Sequence, residues 1–423
     1  MVGVKGAGMA ALAEVLAANG FLVSGSDVAE DFFTAPVLAR LGIVPCPFDE
    51  KNIAGVEAVI HSNAYNNTNP ELHAARERGM PVFSYPEVVA ELFNACRGIA
   101  VAGSHGKTTT TAMLAHILKT AGSNTTAIVG SLVANWSAGA LAGDLHANDA
   151  SFVLEADEYK DAFLNYKPYA ACITNIDYDH PDYFRDPRQY IAAFERFVAG
   201  ISNDGFVVVD ASDESAYAVA RSSGKRMVVS AAHSLHIPLA VPGAHNAHNA
   251  ALAYTAAREL GVSNETARVA LADFHGTERR MEYIGERNGV SVFDDYAHHP
   301  SEIRASLAAF CAQYPEKNIL VVFQPHTYSR TAVLFDDFSA AFAGAHEVVL
   351  ADVYASRRER KEDHPGVDME RMAECIMDRG IPAVFIKEHD RIVPYLKERL
   401  VPGAIVVTMG AGDIWRIGRI LIQ

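Results

Sequence analysis

The chain has 423 residues, 50% of them hydrophobic and 21% charged, a balance that excludes a disordered protein and leaves room for about three domains of ordinary size. Its formal net charge of −15 argues against a protein that grips nucleic acid by neutralising phosphates, although a local basic pocket for a phosphorylated small molecule remains compatible with it. No apolar run reaches the roughly 18 residues of a membrane span, and a glycine loop stands where a secretory signal would, so a cytosolic protein without a membrane partner is expected.

The first block, residues 1–94, opens with Val2-Gly3-Val4-Lys5-Gly6-Ala7-Gly8, continues as an apolar-periodic helix from Met9 to Asn19, and predicts a strand from Phe21 to Ser24 that ends at Ser26-Asp27. Glycines before a helix, with an acidic residue about 20 positions on, are the dinucleotide-fold fingerprint; the order here, G-x-x-G-x-G, fits a diphosphate at a helix N-terminus at least as well. Met1 lies only a residue before this loop, so either a truncated first strand or a misplaced start is expected.

The second block, residues 95–276, carries the strongest motif. The apolar run Ile99 to Ala102 leads into Gly103-Ser104-His105-Gly106-Lys107-Thr108-Thr109, and a helical pattern from Thr110 to Ala121 leads out. Glycines let backbone N–H groups turn onto phosphates, a helix N-terminus adds its dipole, Lys107 can reach β/γ oxygens and a Thr hydroxyl can hold Mg²⁺. Val101 stands where the full pattern has a glycine, so the motif is a shortened variant. Farther on, the predicted strand Ser151–Leu154 ends in Glu155-Ala156-Asp157-Glu158, and Ala170–Ile176 ends in Asp177-Tyr178-Asp179-His180. Ligands of open α/β sheets gather at strand C-termini, so these clusters are expected to face the phosphate loop, with Glu155 and His180 as metal-ligand candidates. Asp157, Asp177 and Asp182 read as turn residues.

The third block, residues 277–423, predicts strands Val290–Phe293, Ile319–Phe323, Glu347–Leu350, Ala383–Ile386 and Ala404–Thr408. Their ends carry Asp294-Asp295-Tyr296-Ala297-His298-His299-Pro300, Gln324-Pro325-His326-Thr327-Tyr328-Ser329-Arg330 and Gly410-Ala411-Gly412-Asp413. The charge run from Ser356 to Asp363 reads as a solvated loop, with a lid as the alternative. Cys46, Cys96, Cys172, Cys311 and Cys375 form no Cys-x-x-Cys pair and read as reduced thiols. The whole is an α/β chain of three parallel-sheet blocks.

Glycine loop, Gly-Lys-Thr-Thr-Thr, Glu-Ala-Asp-Glu, Thr-Asn-Ile-Asp-x-Asp-His, Pro-Gly-x-His-Asn-x-x-Asn-Ala, Gly-Thr-x-Arg-Arg-Met-Glu, Asp-Asp-Tyr-Ala-His-His-Pro and Phe-Gln-Pro-His-Thr-Tyr-Ser-Arg follow one another in the order found in the Mur ligases, which the chain resembles over its whole length. The resemblance implies a Rossmann-like UDP-binding domain, a central P-loop ATPase-type domain and a C-terminal Rossmann-like domain. It implies an ATP-dependent ligase, cytoplasmic and a monomer or weak homodimer, that joins L-alanine to the lactyl carboxylate of UDP-N-acetylmuramate through an acyl phosphate. The tripeptide-recycling branch of the family is the alternative, and the segment from Phe323 to His326 with Arg330 resembles the alanine-adding form. A nucleotide-regulated binding protein and an NAD-dependent oxidoreductase are more distant alternatives.

By resemblance, Gly103 to Thr109 would cradle ATP, with Lys107 on the β/γ-phosphates, Thr108 and Glu155 on one Mg²⁺, and His180 near a second. Asn246 and Asn249 would meet the adenine edge, Arg280 a nucleotide phosphate, and Asp295 with Tyr296 the ribose and base. His298, His326 and Arg330 would line the muramoyl and alanine side, the planar fork of Arg330 pairing with a carboxylate. Gly6, Ala7, Gly8 and Asp27 would serve the UDP diphosphate. His245 and His248 read as residues that cap or pack a helix, Asp294 as a loop hydrogen-bonder, Arg279 as a surface charge, and His299 as structural. The segment from Asp179 to Phe206 holds no lysine, so a carbamylated metal-bridging lysine is not expected. The stretch between Asp213 and Pro242 is short, so a reduced accessory sheet is expected.

Overall fold

A computed structural model describes the chain except for residues 31, 231–236, 356–358, 360–361 and 363–365. It is an α/β protein that divides into two compact units, one of Met1–Asp177, Arg188–Ala240 and Ala247–Thr277, the other of Tyr178–Pro187, Val241–Asn246 and Glu278–Gln423.

In the first unit a seven-stranded sheet runs in the order Ala138–Leu141, Thr125–Val133, Ser151–Glu155, Arg97–Ala102, Ala170–Ile173, Phe206–Val209, Arg226–Val229. Every pairing is parallel except the hairpin at the Ala138–Leu141 edge. The central strands are buried on both faces, which is why Ile99-Ala100-Val101-Ala102 and Phe206-Val207-Val208-Val209 read as unbroken apolar runs without alternation. The Asp213–Pro242 stretch supplies the helix Glu214–Ser222 and the edge strand Arg226–Val229; residues 231–236 lie outside the described residues.

The amino-terminal part of this unit pairs more sparsely than its sequence predicts. Parallel strands Val59–His61 and Val82–Ser84 form a small sheet, and single bridges extend it through Val2 to Ser26 and on to Cys46. Phe21–Ser24 is not a strand, and Leu22 is fully exposed. The neighbours of Ser26 offer one paired residue each, so no ladder reaches back to Phe21.

The second unit is built on a six-stranded sheet, ordered Glu282–Arg287, Val290–Asp295, Ile405–Met409, Ile319–Phe323, Glu347–Leu350, Ala383–Phe385. All pairs are parallel except the first two strands. One face packs Phe293, Phe323, Phe338 and Met372; the other packs Val292, Val322, Ile392 and Ile417. The unpredicted edge strand Glu282–Arg287 turns back at Asn288-Gly289, both at positive φ, the dipeptide that a two-residue hairpin demands.

Candidate active site

The phosphate-loop motif has the context its sequence requires. Strand Arg97–Ala102 ends at Gly103, and the helix Lys107–Thr120 begins after Gly106, whose φ of 79° is open to glycine at little cost. A side chain at Gly103 would strike Thr174, and one at Gly106 would strike Asn249, so the loop is packed as tightly as backbone allows. Ser104 Oγ lies 2.7 Å from the Tyr190 hydroxyl and accepts the Asp177 N–H at 2.8 Å. His105 donates its N–H to Asn175 at 2.9 Å and lies 3.2 Å from the Asp177 carboxylate. Asp177, read from sequence as a turn residue, therefore braces the loop.

Both basic and hydroxyl groups of the motif meet the acidic cluster at the end of strand Ser151–Glu155. Thr108 donates to Glu155 at 2.9 Å, whose other oxygen accepts the Gly130 N–H at 2.8 Å. Thr109 is buried in the first helical turn. Lys107 reaches Glu158 at 2.8 Å and also donates to the Gly103 and Ser104 carbonyls. Burial alone would lower the Lys107 ammonium, but Glu158, then Asp157 and Glu155, outweigh it and hold it above its ordinary value. Asp157 is exposed and its carboxylate accepts the Tyr159 backbone N–H at 3.1 Å, as a turn residue does. Glu158, whose carboxylate is fully buried, was not singled out by sequence reasoning.

At the amino-terminal glycine loop, Gly6 caps the helix Ala7–Ala18, whose first residue is Ala7. A side chain at Gly8 would come within 2.8 Å of the Tyr85 ring, so this glycine lets the helix approach its neighbour. Asp27, expected to face substrate, is buried with both oxygens committed to protein: Lys5 N at 2.7 Å, Val28 N at 2.8 Å and Tyr65 Oη at 3.0 Å. Its carboxylate fixes the glycine loop.

The second unit holds most of the remaining candidates. Arg330 is buried, and its Nε and Nη2 clamp the Asp179 carboxylate at 2.8 and 3.1 Å while Nη1 donates to the His326 carbonyl at 2.6 Å. The planar fork expected for a substrate carboxylate thus holds Asp179, which sequence reasoning did not single out. Burial would raise the Asp179 carboxyl, yet Arg330, with His180 and His298, keeps it well below the usual carboxylate range. Asp179 also accepts the His180 N–H at 2.6 Å, and His180 sits at φ 57°, where a non-glycine residue needs such support.

His298 donates from Nδ1 to the Tyr296 carbonyl at 3.0 Å, since a carbonyl can only accept; the neutral ring then presents Nε2 as an acceptor. Burial, helped by Arg330 and opposed by Glu302, pushes His298 down to about 3, and burial with Arg330 pushes His326 down to about 4, so both rings are neutral at physiological pH. The two rings meet edge to face at 6.0 Å.

Two further positions depart from the sequence reading. Asp295, expected on the ribose, is buried and accepts from Ala297 N at 2.8 Å, Ser306 Oγ at 2.8 Å and Met281 N at 3.2 Å. Arg279 is no surface charge: it binds Asp294 at 2.9 Å and the Gly410 carbonyl at 2.6 Å. Its guanidinium and that of Arg280 lie over the Tyr296 ring at 5.0 and 5.1 Å, and Arg280 also reaches Glu302 at 3.4 Å. Asn246 is buried and donates to the Pro242 carbonyl at 2.6 Å, while Asn249, buried on the same helix, borders Gly106. His248 pairs with Asp210 at 2.8 Å, and His299 caps the helix Pro300–Gln313. The charge run from Ser356 lies largely outside the described residues; Glu359, within it, accepts from Tyr328 N at 3.1 Å.

The chain matches family models over three consecutive stretches: the Mur ligase family catalytic domain at residues 1–97, the Mur ligase middle domain at 101–234, and the Mur ligase glutamate ligase domain at 279–412. A relative from Desulfitobacterium hafniense, named UDP-N-acetylmuramate--L-alanine ligase, is 38% identical over 100% of this chain and 98% of its own length. The chain belongs to the Mur ligase family. A relative of the same name from Rubrobacter xylanophilus is also 38% identical, over 100% of this Mur ligase and 98% of that protein. Among solved structures, the UDP-N-acetylmuramate-alanine ligase of Thermotoga maritima superimposes with a TM-score of 0.78 at 28% identity, covering 100% of this chain and 97% of that one. A murein peptide ligase from Psychrobacter arcticus shares the Mur ligase fold, with a TM-score of 0.71 at 22% identity over 99% and 97% of the two chains. Among the described residues no helix is long and apolar enough to cross a membrane.

Proposed function

We propose that this chain is an ATP-dependent ligase that joins L-alanine to the lactyl carboxylate of UDP-N-acetylmuramate in peptidoglycan precursor synthesis. The observation that carries the reading is identity of 38%, across the whole chain, to relatives bearing that activity as their name. The carboxylate attacks the γ-phosphorus of ATP, ADP leaves, and an acyl phosphate forms. The amine of L-alanine then adds to the acyl carbon, and the tetrahedral intermediate collapses as phosphate departs and nitrogen loses a proton. Two anions meet in the first step, so cations must dominate the site.

In this reading Lys107 neutralises the β/γ-phosphates, and the loop from Gly103 to Thr109 holds them by its N–H groups. Thr108 and Glu155 offer hard oxygen donors within 2.9 Å of each other, a pair that suits Mg²⁺, with His180 contributing to a second ion. Bound Mg²⁺ would neutralise charge on the transferring phosphoryl group. Asn246, Asn249, Arg280 and Tyr296 serve the nucleotide, His298 and His326 the acceptor side, and Gly6 to Gly8 the UDP diphosphate. Arg330 and Asp295 act by holding their neighbours. The domains are taken as residues 1–94, 95–276 and 277–423, and the protein as cytoplasmic and a monomer or weak dimer.

Phosphate release measured with UDP-N-acetylmuramate, ATP and Mg²⁺ tests this directly. Release should depend on L-alanine, with glycine and L-serine as competitors for selectivity. Release only with the tripeptide would assign the chain to the recycling branch, and release with no amine at all would overturn the ligase reading.

A further inference from the structure

We propose that Glu158 is a positioning residue that holds the phosphate lysine in its loop when nucleotide is absent, and thereby sets how tightly ATP binds. The inference rests on the nucleotide-binding reading above.

Glu158 is fully buried, so its charge has no solvent to stabilise it. One of its oxygens accepts from Lys107 Nζ at 2.8 Å, and the other accepts from the Tyr190 hydroxyl at 3.0 Å. Tyr190, its single hydroxyl hydrogen given to Glu158, accepts from the Ser104 hydroxyl at 2.7 Å, so the carboxylate is wired into the phosphate loop from both ends. Lys107 has three acceptors, Glu158 and the carbonyls of Gly103 and Ser104. They match the ammonium's own N–H donors one for one.

A phosphate oxygen can therefore engage Lys107 only by displacing one of these acceptors. Glu158 is the anion among them, and a triphosphate is the other anion competing for the same cation. Nucleotide binding becomes an exchange of one buried counter-charge for another, and its net gain is what remains after the Lys107–Glu158 pair is broken. Glu158→Gln keeps the shape and an oxygen acceptor but removes the competing charge. The empty variant then leaves Lys107 without a carboxylate partner, and ATP supplies the missing charge.

Calorimetric titration of ATP and of AMP into the intact wild-type and Glu158→Gln chains, with thermal unfolding of each in their presence and absence, tests the inference. Glu158→Gln should unfold at lower temperature without nucleotide, show a larger upward shift with ATP, and bind ATP about tenfold tighter than wild type, with AMP affinity unchanged because AMP lacks the β/γ oxygens. A residue with a merely structural role would lower stability equally with and without ATP. ATP affinity that is unchanged or weaker in Glu158→Gln overturns the inference. If the variant does not fold alone, folding must be restored by ATP and not by AMP; restoration by neither overturns it as well. Wild-type chain that binds neither nucleotide overturns the underlying reading instead.

Discussion

Arg330 closes the Nε–Nη2 edge of its guanidinium on the carboxylate of Asp179, at 2.8 and 3.1 Å, with both side chains buried. The partners are 151 positions apart in the chain, and Asp179 bears directly on the backbone of His180. Orphaning one member of such a pair costs about 3–5 kcal/mol. Arg330→Ala and Asp179→Ala should each lower the unfolding free energy obtained from urea titration by an amount of that order, and the double variant should cost clearly less than their sum. Strictly additive losses would show that the two charges do not depend on each other. Arg330→Lys keeps the charge but loses the fork, so it should fall between wild type and Arg330→Ala, with turnover reduced because His180 is held less firmly.

Lys107→Ala should abolish ligation, with turnover falling by about a hundredfold or more, equivalent to roughly 3 kcal/mol of lost transition-state stabilisation. Adding Glu158→Gln should recover stability, since the buried carboxylate no longer stands alone, and should not recover turnover. Near-normal ADP formation by Lys107→Ala would refute the role given to the phosphate loop.

Glu155→Gln and Thr108→Ala should each raise the Mg²⁺ concentration needed for half-maximal activity before they disturb folding, because both groups lie at the loop's edge of the sheet. The Mg²⁺ dependence of phosphate release, read beside the thermal midpoint, decides the matter. A large drop in midpoint at unchanged Mg²⁺ dependence would make the Thr108–Glu155 contact a structural one.

Burial pushes the Asp295 carboxyl up to about 6 against the opposing pull of Arg280 and its hydrogen bonds. A carboxyl whose folded value is raised favours the protonated native state, so its contribution is fully present below the ordinary value near 3.8 and is lost as pH rises through about 6. Asp295→Asn should therefore gain on wild type by on the order of 2–3 kcal/mol between pH 4 and pH 7, measured as the difference in unfolding free energy across that range. A difference that stays flat with pH would mean that Asp295 remains ionised throughout.

What the sequence made legible was whatever depends on local pattern. The phosphate loop could be read because its strand, its glycines and its helix are contiguous, and the sheet strands because burial on both faces leaves apolar runs such as Ile319 to Phe323. The site residues were harder where their partners lie far away. Nothing near Arg330 announces that its fork belongs to Asp179, and nothing near Asp295 says that Ser306 turns its carboxylate inward. Phe21–Ser24 looked like a strand because its composition suits one, but a strand exists only where a neighbour offers a ladder, and Val2 and Cys46 each offer a single rung. Conversely, Asn288-Gly289 marked a hairpin that the surrounding polar residues concealed.

The second unit takes Tyr178–Pro187 and Val241–Asn246 from the middle of the chain as well as everything from Glu278 onward. No single backbone cut can release it whole. A fragment ending near Thr277 would carry Asp179 without Arg330, and a fragment beginning at Glu278 would carry Arg330 without its carboxylate, so each would lack one half of the pair. Nicking by a protease near Thr277 should thus leave two pieces that stay associated until denaturant is added, and neither piece made separately should be as stable as the corresponding part of the intact chain.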